Sequence, residues 1–195
     1  MSQDEGDAVG TDSGRSELTP VRAAEGENMK NLIFINGPMG VGKTSVCTEL
    51  LPLISPAAFL DGDWCWTMSP FVVNAETRAM VLDNIAHVLD GFLRCSAYRS
   101  VLFCWVMQYR SIVDDVLARL AMGGVNFTLI TLTASPEVLE TRIMADVARR
   151  VRSPGVLTRS LERLPLYAGM ESVKIDTGAL TAGEVARSIA AMIKK

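Results

Sequence analysis

Histidine occurs once in this sequence and cysteine four times, with no C-x-x-C pair among Cys47, Cys65, Cys95 and Cys104. Zinc or iron–sulfur sites and disulfide frameworks need clustered ligands, so these counts disfavour both and predict a reducing, cytoplasmic setting. His87 falls in a helical pattern among apolar neighbours, where a packed residue is expected rather than a catalytic base. Long apolar runs are missing too. The longest, Val101 to Met107, is far short of the roughly 20 residues of a membrane span, so no membrane partner is expected. Charged residues make up 21% of the chain against 49% apolar ones, a balance that excludes an extensively disordered or nucleic-acid-coating protein.

The net charge of −3 is unevenly spread. Residues 1–28 hold seven acids and two arginines and no aromatic side chain, whereas residues 29–195 hold fifteen acids and seventeen bases. A segment rich in Gly, Ser, Asp and Glu buries too little apolar surface to offset its ordering entropy, so residues 1–28 are expected to be a disordered acidic tail. Met29, directly before the first strand-like run, fits an upstream extension of the reading frame, and a partner-binding tail is the alternative. The tail has no basic or apolar block of the kind that makes a secretory signal. What remains, residues 29–195, is long enough for one domain with its own core.

In that domain short apolar runs alternate with helix-period stretches, the pattern of βαβ units and a parallel sheet. The runs are Leu32–Ile35, Ala57–Leu60, Val101–Val106, Phe127–Leu132 and Val173–Ile175. They are continuous rather than alternating, as expected of strands covered on both faces. Helices are expected around Val81, Ile85 and Leu89 with Asn74 as cap, and around Val113 and Val116 with a stop at Gly123-Gly124. Two more are expected after the Ser135-Pro136 start and after a Thr181/Glu184 capping box. The ten methionines, spread through apolar runs, read as gap-filling core.

Directly after the first run stands Gly37-Pro38-Met39-Gly40-Val41-Gly42-Lys43-Thr44-Ser45, a complete G-x-x-x-x-G-K-[ST] pattern between a strand and an amphipathic segment stopped by Pro52. Its glycines let backbone N–H groups turn toward phosphate oxygens, and the following helix adds the positive end of its dipole. Lys43 is placed to offset charge on the β- and γ-phosphates, and Thr44 supplies a hydroxyl for Mg²⁺. ATP and Mg²⁺ are thus the expected cofactors.

The second run ends in Asp61-Gly62-Asp63, one strand-helix-strand step later, at the carboxyl edge where ligands of open α/β sheets bind. Alternation along the strand end points both carboxylates the same way. One would orient or deprotonate an attacking hydroxyl, and the other would hold Mg²⁺ through water. Asp63 is the expected base and Asp61 the expected metal-side acid, although the residues alone do not separate the two roles. Trp64, Trp66, Phe71, Trp105 and Gln108 follow the ends of the second and third runs and are candidates for an acceptor pocket, with core or lid packing as an equal alternative. The third run ends without the Walker B aspartate of many P-loop proteins, which counts against a self-standing ATP-hydrolysing motor.

The two motifs, GPMGVGKTS and LDGD, resemble those of the small P-loop kinases that phosphorylate metabolites or antibiotics: gluconate kinase, adenylylsulfate kinase, shikimate kinase and chloramphenicol phosphotransferase. The nearest likeness is to bacterial AAA-family ATPase or nucleotide kinase proteins, and it covers residues 29–195. The resemblance implies a three-layer α/β fold with a five-stranded parallel sheet in the order 2-3-1-4-5 and a small helical lid at about residues 146–166. From Arg142 to Arg163, six arginines fall in 22 residues around Pro154-Gly155. Arg149 and Arg150 are the expected lid contacts to phosphate, and Arg142 a nucleotide contact. Asp176 and Thr177 would border the adenine, or simply form a strand-ending turn. No nucleic-acid partner is expected, since the domain is nearly neutral and has no recognition motif.

The reading that gathers these features is an ATP- and Mg²⁺-dependent phosphotransferase acting on a hydroxyl of a small-molecule acceptor. A nucleoside monophosphate kinase is the nearest rival, disfavoured by acids where a second phosphate would lie. An ATP-binding regulatory protein without acceptor turnover is the alternative of a different class.

Overall fold

In the computed structural model, which describes residues 29–153 and 155–193, the five apolar runs become five parallel strands. They are β1 (Lys30–Asn36), β2 (Ala57–Asp61), β3 (Ser100–Cys104), β4 (Val125–Thr133) and β5 (Val173–Asp176), in the order β2-β3-β1-β4-β5. The expected order 2-3-1-4-5 is the observed one. The acidic segment 1–28 lies outside the described residues.

Seven helices connect or flank the strands among the described residues: α1 (Lys43–Leu53), α2 (Ala75–Arg94), α3 (Arg110–Leu117), α4 (Pro136–Ala148), α5 (Val156–Glu162), α6 (Leu164–Ala168) and α7 (Ala182–Ile193). Their starts follow the caps visible in the sequence. Asn74 accepts from Thr77 N at 2.8 Å while the Thr77 hydroxyl accepts from Asn74 N at 3.0 Å, a reciprocal box. Ser135 accepts from Val138 N. Glu184 accepts from the Thr181 amide and hydroxyl at 2.8 and 2.7 Å. Pro52 sits inside the last turn of α1, and the helix ends one residue later.

Strand alternation sends successive β1 side chains to opposite faces. Ile33 and Ile35 join Cys47 and Leu50 of α1 and Val185 and Ile189 of α7, whereas Leu32 and Phe34 join Val81, Ile85 and Leu89 of α2 and Val113 and Val116 of α3. The central strands are therefore covered on both faces. The edge strand β5 departs from that expectation: Val173, Lys174 and Asp176 are exposed and Ile175 is half-buried. It has β4 as its one strand neighbour. His87 also differs from expectation and is exposed. It stands two residues past Ile85, about 200° around the helix, off the buried stripe.

β3 was expected to continue to Val106, yet it ends at Cys104. The reason is Asn36, fully buried at the end of β1. Its carboxamide accepts from Met107 N at 3.0 Å and donates to Met107 O at 2.9 Å. The side chain thus takes both backbone groups of Met107 and holds the chain in its turn after β3. No helix among the described residues is long and apolar enough to cross a membrane. Replacing Asn36 with Ala would leave both Met107 groups buried and unpaired. A loss of roughly 2–6 kcal/mol in urea unfolding is expected, at about 1–3 kcal/mol per orphaned group.

Candidate active site

The phosphate loop spans the gap between β1 and α1. Gly37, Gly40 and Gly42 all have left-handed φ values, of 144°, 84° and 101°. Two of these positions also lack room for a side chain: a Cβ at Gly37 would come within 2.6 Å of Leu132 O, and one at Gly40 within 2.6 Å of Ile143. The first turn of α1 contains no acid, so its dipole is left to an external anion. Lys43 folds over the loop and donates to Gly37 O at 2.9 Å and Pro38 O at 3.1 Å. Burial lowers its pKa, against the opposing influence of Asp63 and Asp61.

Asp61 faces the loop from the end of β2. It is buried, accepts from the Thr44 hydroxyl at 2.7 Å and caps the following 3-10 turn by accepting from Asp63 N at 3.0 Å. Asp63 lines the same cleft but is exposed to solvent. Desolvation of its carboxylate within the cleft, followed by the nearby Asp61 charge, raises its pKa, while Lys43, Trp105 and Arg152 pull it down. The two acids thus differ in use: Asp61 is fixed through both oxygens, and Asp63 is free to meet a ligand. Between them Gly62 is a packing requirement, since a Cβ there would lie 2.6 Å from Trp105 Cγ.

The cleft measures about 390 Å³ and is closed on the far side by Arg142, Ala145, Asp146, Arg149, Arg152, Thr177 and Leu180. Of the residues expected there, Met39, Gly40, Val41, Gly42, Lys43, Thr44, Ser45, Asp61, Asp63, Arg142, Arg149 and Thr177 are on its wall. Gly37 and Pro38 lie just behind, holding Lys43. Arg142 is already engaged, donating to Val41 O at 3.3 Å and to Thr177 Oγ1 and O at 2.9 and 2.7 Å. Arg150 is not on the wall: it occupies a left-handed turn (φ 60°) just past the end of α4. Asp176 is exposed and turned back to accept from Gly178 N at 2.7 Å, the strand-ending turn that was its alternative reading.

Arg152 is the wall residue that the choice of Arg149 and Arg150 passed over. It is half-buried and paired with Asp146 at 2.9 Å. Helical spacing favours Arg149 over Arg150, since residues seven apart share a face with Arg142, but Arg152 lies beyond the helix and has no such signal. Ser160 of α5 was also missed. It is buried and donates to Met39 O at 2.9 Å, fastening the segment after α4 to the phosphate loop.

The aromatic candidates divide. Trp64 packs edge-on to Phe59, with ring centroids 5.4 Å apart, on the α1 side of the sheet. Trp66 packs toward α2 and lies 6.0 Å from Phe71. Trp105 covers Gly62 next to Asp63, and Gln108 follows it, half-buried. None of the four residues Trp64, Trp66, Trp105 and Gln108 lines the main cleft; Trp105 comes nearest, against Gly62 beside Asp63.

A phosphate loop of this geometry on a 2-3-1-4-5 sheet defines a P-loop, kinase-like α/β protein. The sequence model of the AAA domain family matches residues 33–158, and the chain belongs to that family. No curated protein matches it. Solved structures similar to it include a gluconokinase from Sinorhizobium meliloti 1021, at 22% identity and TM-score 0.62, with 85% of this chain and 93% of that one covered. A tunicamycin resistance protein from Deinococcus radiodurans aligns at 19% and 0.60, over 85% and 96%. A shikimate kinase from Acinetobacter baumannii in complex with shikimate aligns at 20% and 0.58, over 86% and 94%. At these identities the likeness establishes the fold.

Gly62→Ala is expected to displace Trp105, lowering stability by about 1–3 kcal/mol and shifting the tryptophan fluorescence of the folded protein. An unchanged emission spectrum would disprove the packing role of Gly62.

Proposed function

We propose that the protein transfers the γ-phosphoryl group of ATP to a hydroxyl of a small molecule. The observation that supports this best is that Asp63 shares one cleft with Lys43 and Thr44, while Asp61 joins the two sides through Thr44. In this reading the loop amides and Lys43 hold the β- and γ-phosphates, and Arg149 and Arg152 approach the transferring group from the α4 end. Arg142 and Thr177 border the nucleotide. Asp63 takes the proton of the acceptor hydroxyl as it attacks.

A divalent ion fits the donors present. Mg²⁺ takes few protein ligands and keeps waters and phosphate oxygens in its shell; one hydroxyl and one carboxylate, converging at 2.7 Å, suit that demand. Thr44 would hold it directly and Asp61 through water. When bound, it neutralises charge on the phosphates.

The raised pKa of Asp63 has a definite sign. A base works when deprotonated, so kcat/KM should fall on the acid side at a pH above that of an ordinary aspartate, near 4. Trp105→Phe removes an influence that lowers the pKa and should move this limb to higher pH; a shift to lower pH would contradict the assignment. Asp63→Asn should lower phosphoryl transfer about 10²- to 10⁴-fold and leave ATP affinity unchanged, measured by ADP formation over an acceptor panel and by nucleotide titration. ATP binding with no acceptor turned over, and a Lys43→Ala variant that loses only binding, would instead favour a nucleotide-sensing protein.

A further inference from the structure

We infer that the acceptor carries a ring or comparable apolar body and no negative charge, and that it sits on an aromatic shelf built by the loops after β2 and β3. The inference rests on the kinase reading and names the acceptor class for that same site. β2 and β3 are hydrogen-bonded neighbours, so both loops leave the sheet at the edge that carries Asp63. The first loop, from Gly62 to Asn74, brings Trp66 and Phe71 to 6.0 Å between ring centroids. The second starts at Trp105, whose ring lies against Gly62, and ends at Tyr109. Phe71 is 68% exposed, Val73 49% and Tyr109 52%. Large apolar side chains gathered beside a polar cleft mark a surface that a ligand covers.

Charge narrows the class. Asp63 is the sole charged residue from Gly62 to Asn74, and Trp105 to Tyr109 include none. Arg110, at the far end of the second loop, is paired with Asp114 at 2.8 Å, and Arg78 is exposed beyond the first turn of α2. Lys43, Arg149 and Arg152 line the cleft, where Lys43 and Arg152 already act on Asp63. A carboxylate or phosphate on the acceptor would therefore meet Asp63 with no further cation on either loop to offset it. An uncharged ring meets no such penalty, and a protonated amine gains from the carboxylates and from the ring faces.

The test is ligand-observed saturation-transfer NMR on the full chain with Mg²⁺ and a non-hydrolysable ATP analogue. Matched probes exchange a hydroxymethyl group for a carboxylate: phenyl β-glucoside against phenyl β-glucuronide, and 3-hydroxybenzyl alcohol against 3-hydroxybenzoate, with tyramine as the cationic member. The uncharged and cationic probes should bind at least tenfold more tightly than the carboxylates. Phe71→Ala and Val73→Ser, both at exposed positions, should each weaken that binding at least threefold and leave affinity for the ATP analogue unchanged. Equal or tighter binding of the carboxylates, no binding of any probe, or indifference to both variants would overturn the proposal. So would self-association of the chain that Phe71→Ala abolishes, because the shelf would then serve a second copy. ADP formation from Mg-ATP, scored with the same probes, separates the two readings: turnover of a carboxylated probe keeps the kinase and removes this class. Selective binding of the uncharged probes without ADP keeps the shelf and removes the kinase.

Discussion

The carboxylate of Asp61 joins the two sides of the cleft. One oxygen holds the hydroxyl at the start of α1 and the other holds the turn that presents Asp63. The sheet makes this reach possible. Asp61, Cys104 and Ile35 stand in line across β2, β3 and β1, so the bond to Thr44 passes over the end of β3. A cysteine there is small, and its thiol stays protonated because Cys47 beside it and burial both raise its pKa. A charged side chain at that position would compete with Asp61 for the same space and the same partners.

The remaining geometry follows from this joint. With both oxygens engaged, Asp61 cannot turn toward a ligand in the cleft without giving up a bond, whereas Asp63 keeps an exposed carboxylate whose charge is partly desolvated. Two acids two residues apart thereby acquire different environments, and environment rather than residue type sets how each carboxylate behaves. Gly62, in the turn that divides them, leaves room for the Trp105 ring.

Much of this was legible in the sequence because it is local. The phosphate loop is a contiguous pattern, the strands are contiguous apolar runs, and the caps at Asn74, Ser135 and Thr181 are encoded within three residues of the groups they bond. Interactions between segments distant along the chain were not legible. Asn36 holds the turn after β3 from 71 residues away, and Ser160 reaches a carbonyl 121 residues earlier. Arg152 is placed by a turn after α4 that no periodicity describes. The aromatics illustrate the same limit, since Trp64 and Trp66 are two residues apart yet pack on opposite sides of the sheet, and only the tertiary fold assigns each to its side.

The bond from Ser160 to the Met39 carbonyl gives α5 a preferred resting place. Any excursion of that helix away from the loop must first break it, at about 0.5–1.5 kcal/mol for a typical intramolecular hydrogen bond. That weights the docked arrangement by up to about tenfold over the undocked one. The loop backbone that would receive a nucleotide therefore also registers the position of the helix above it.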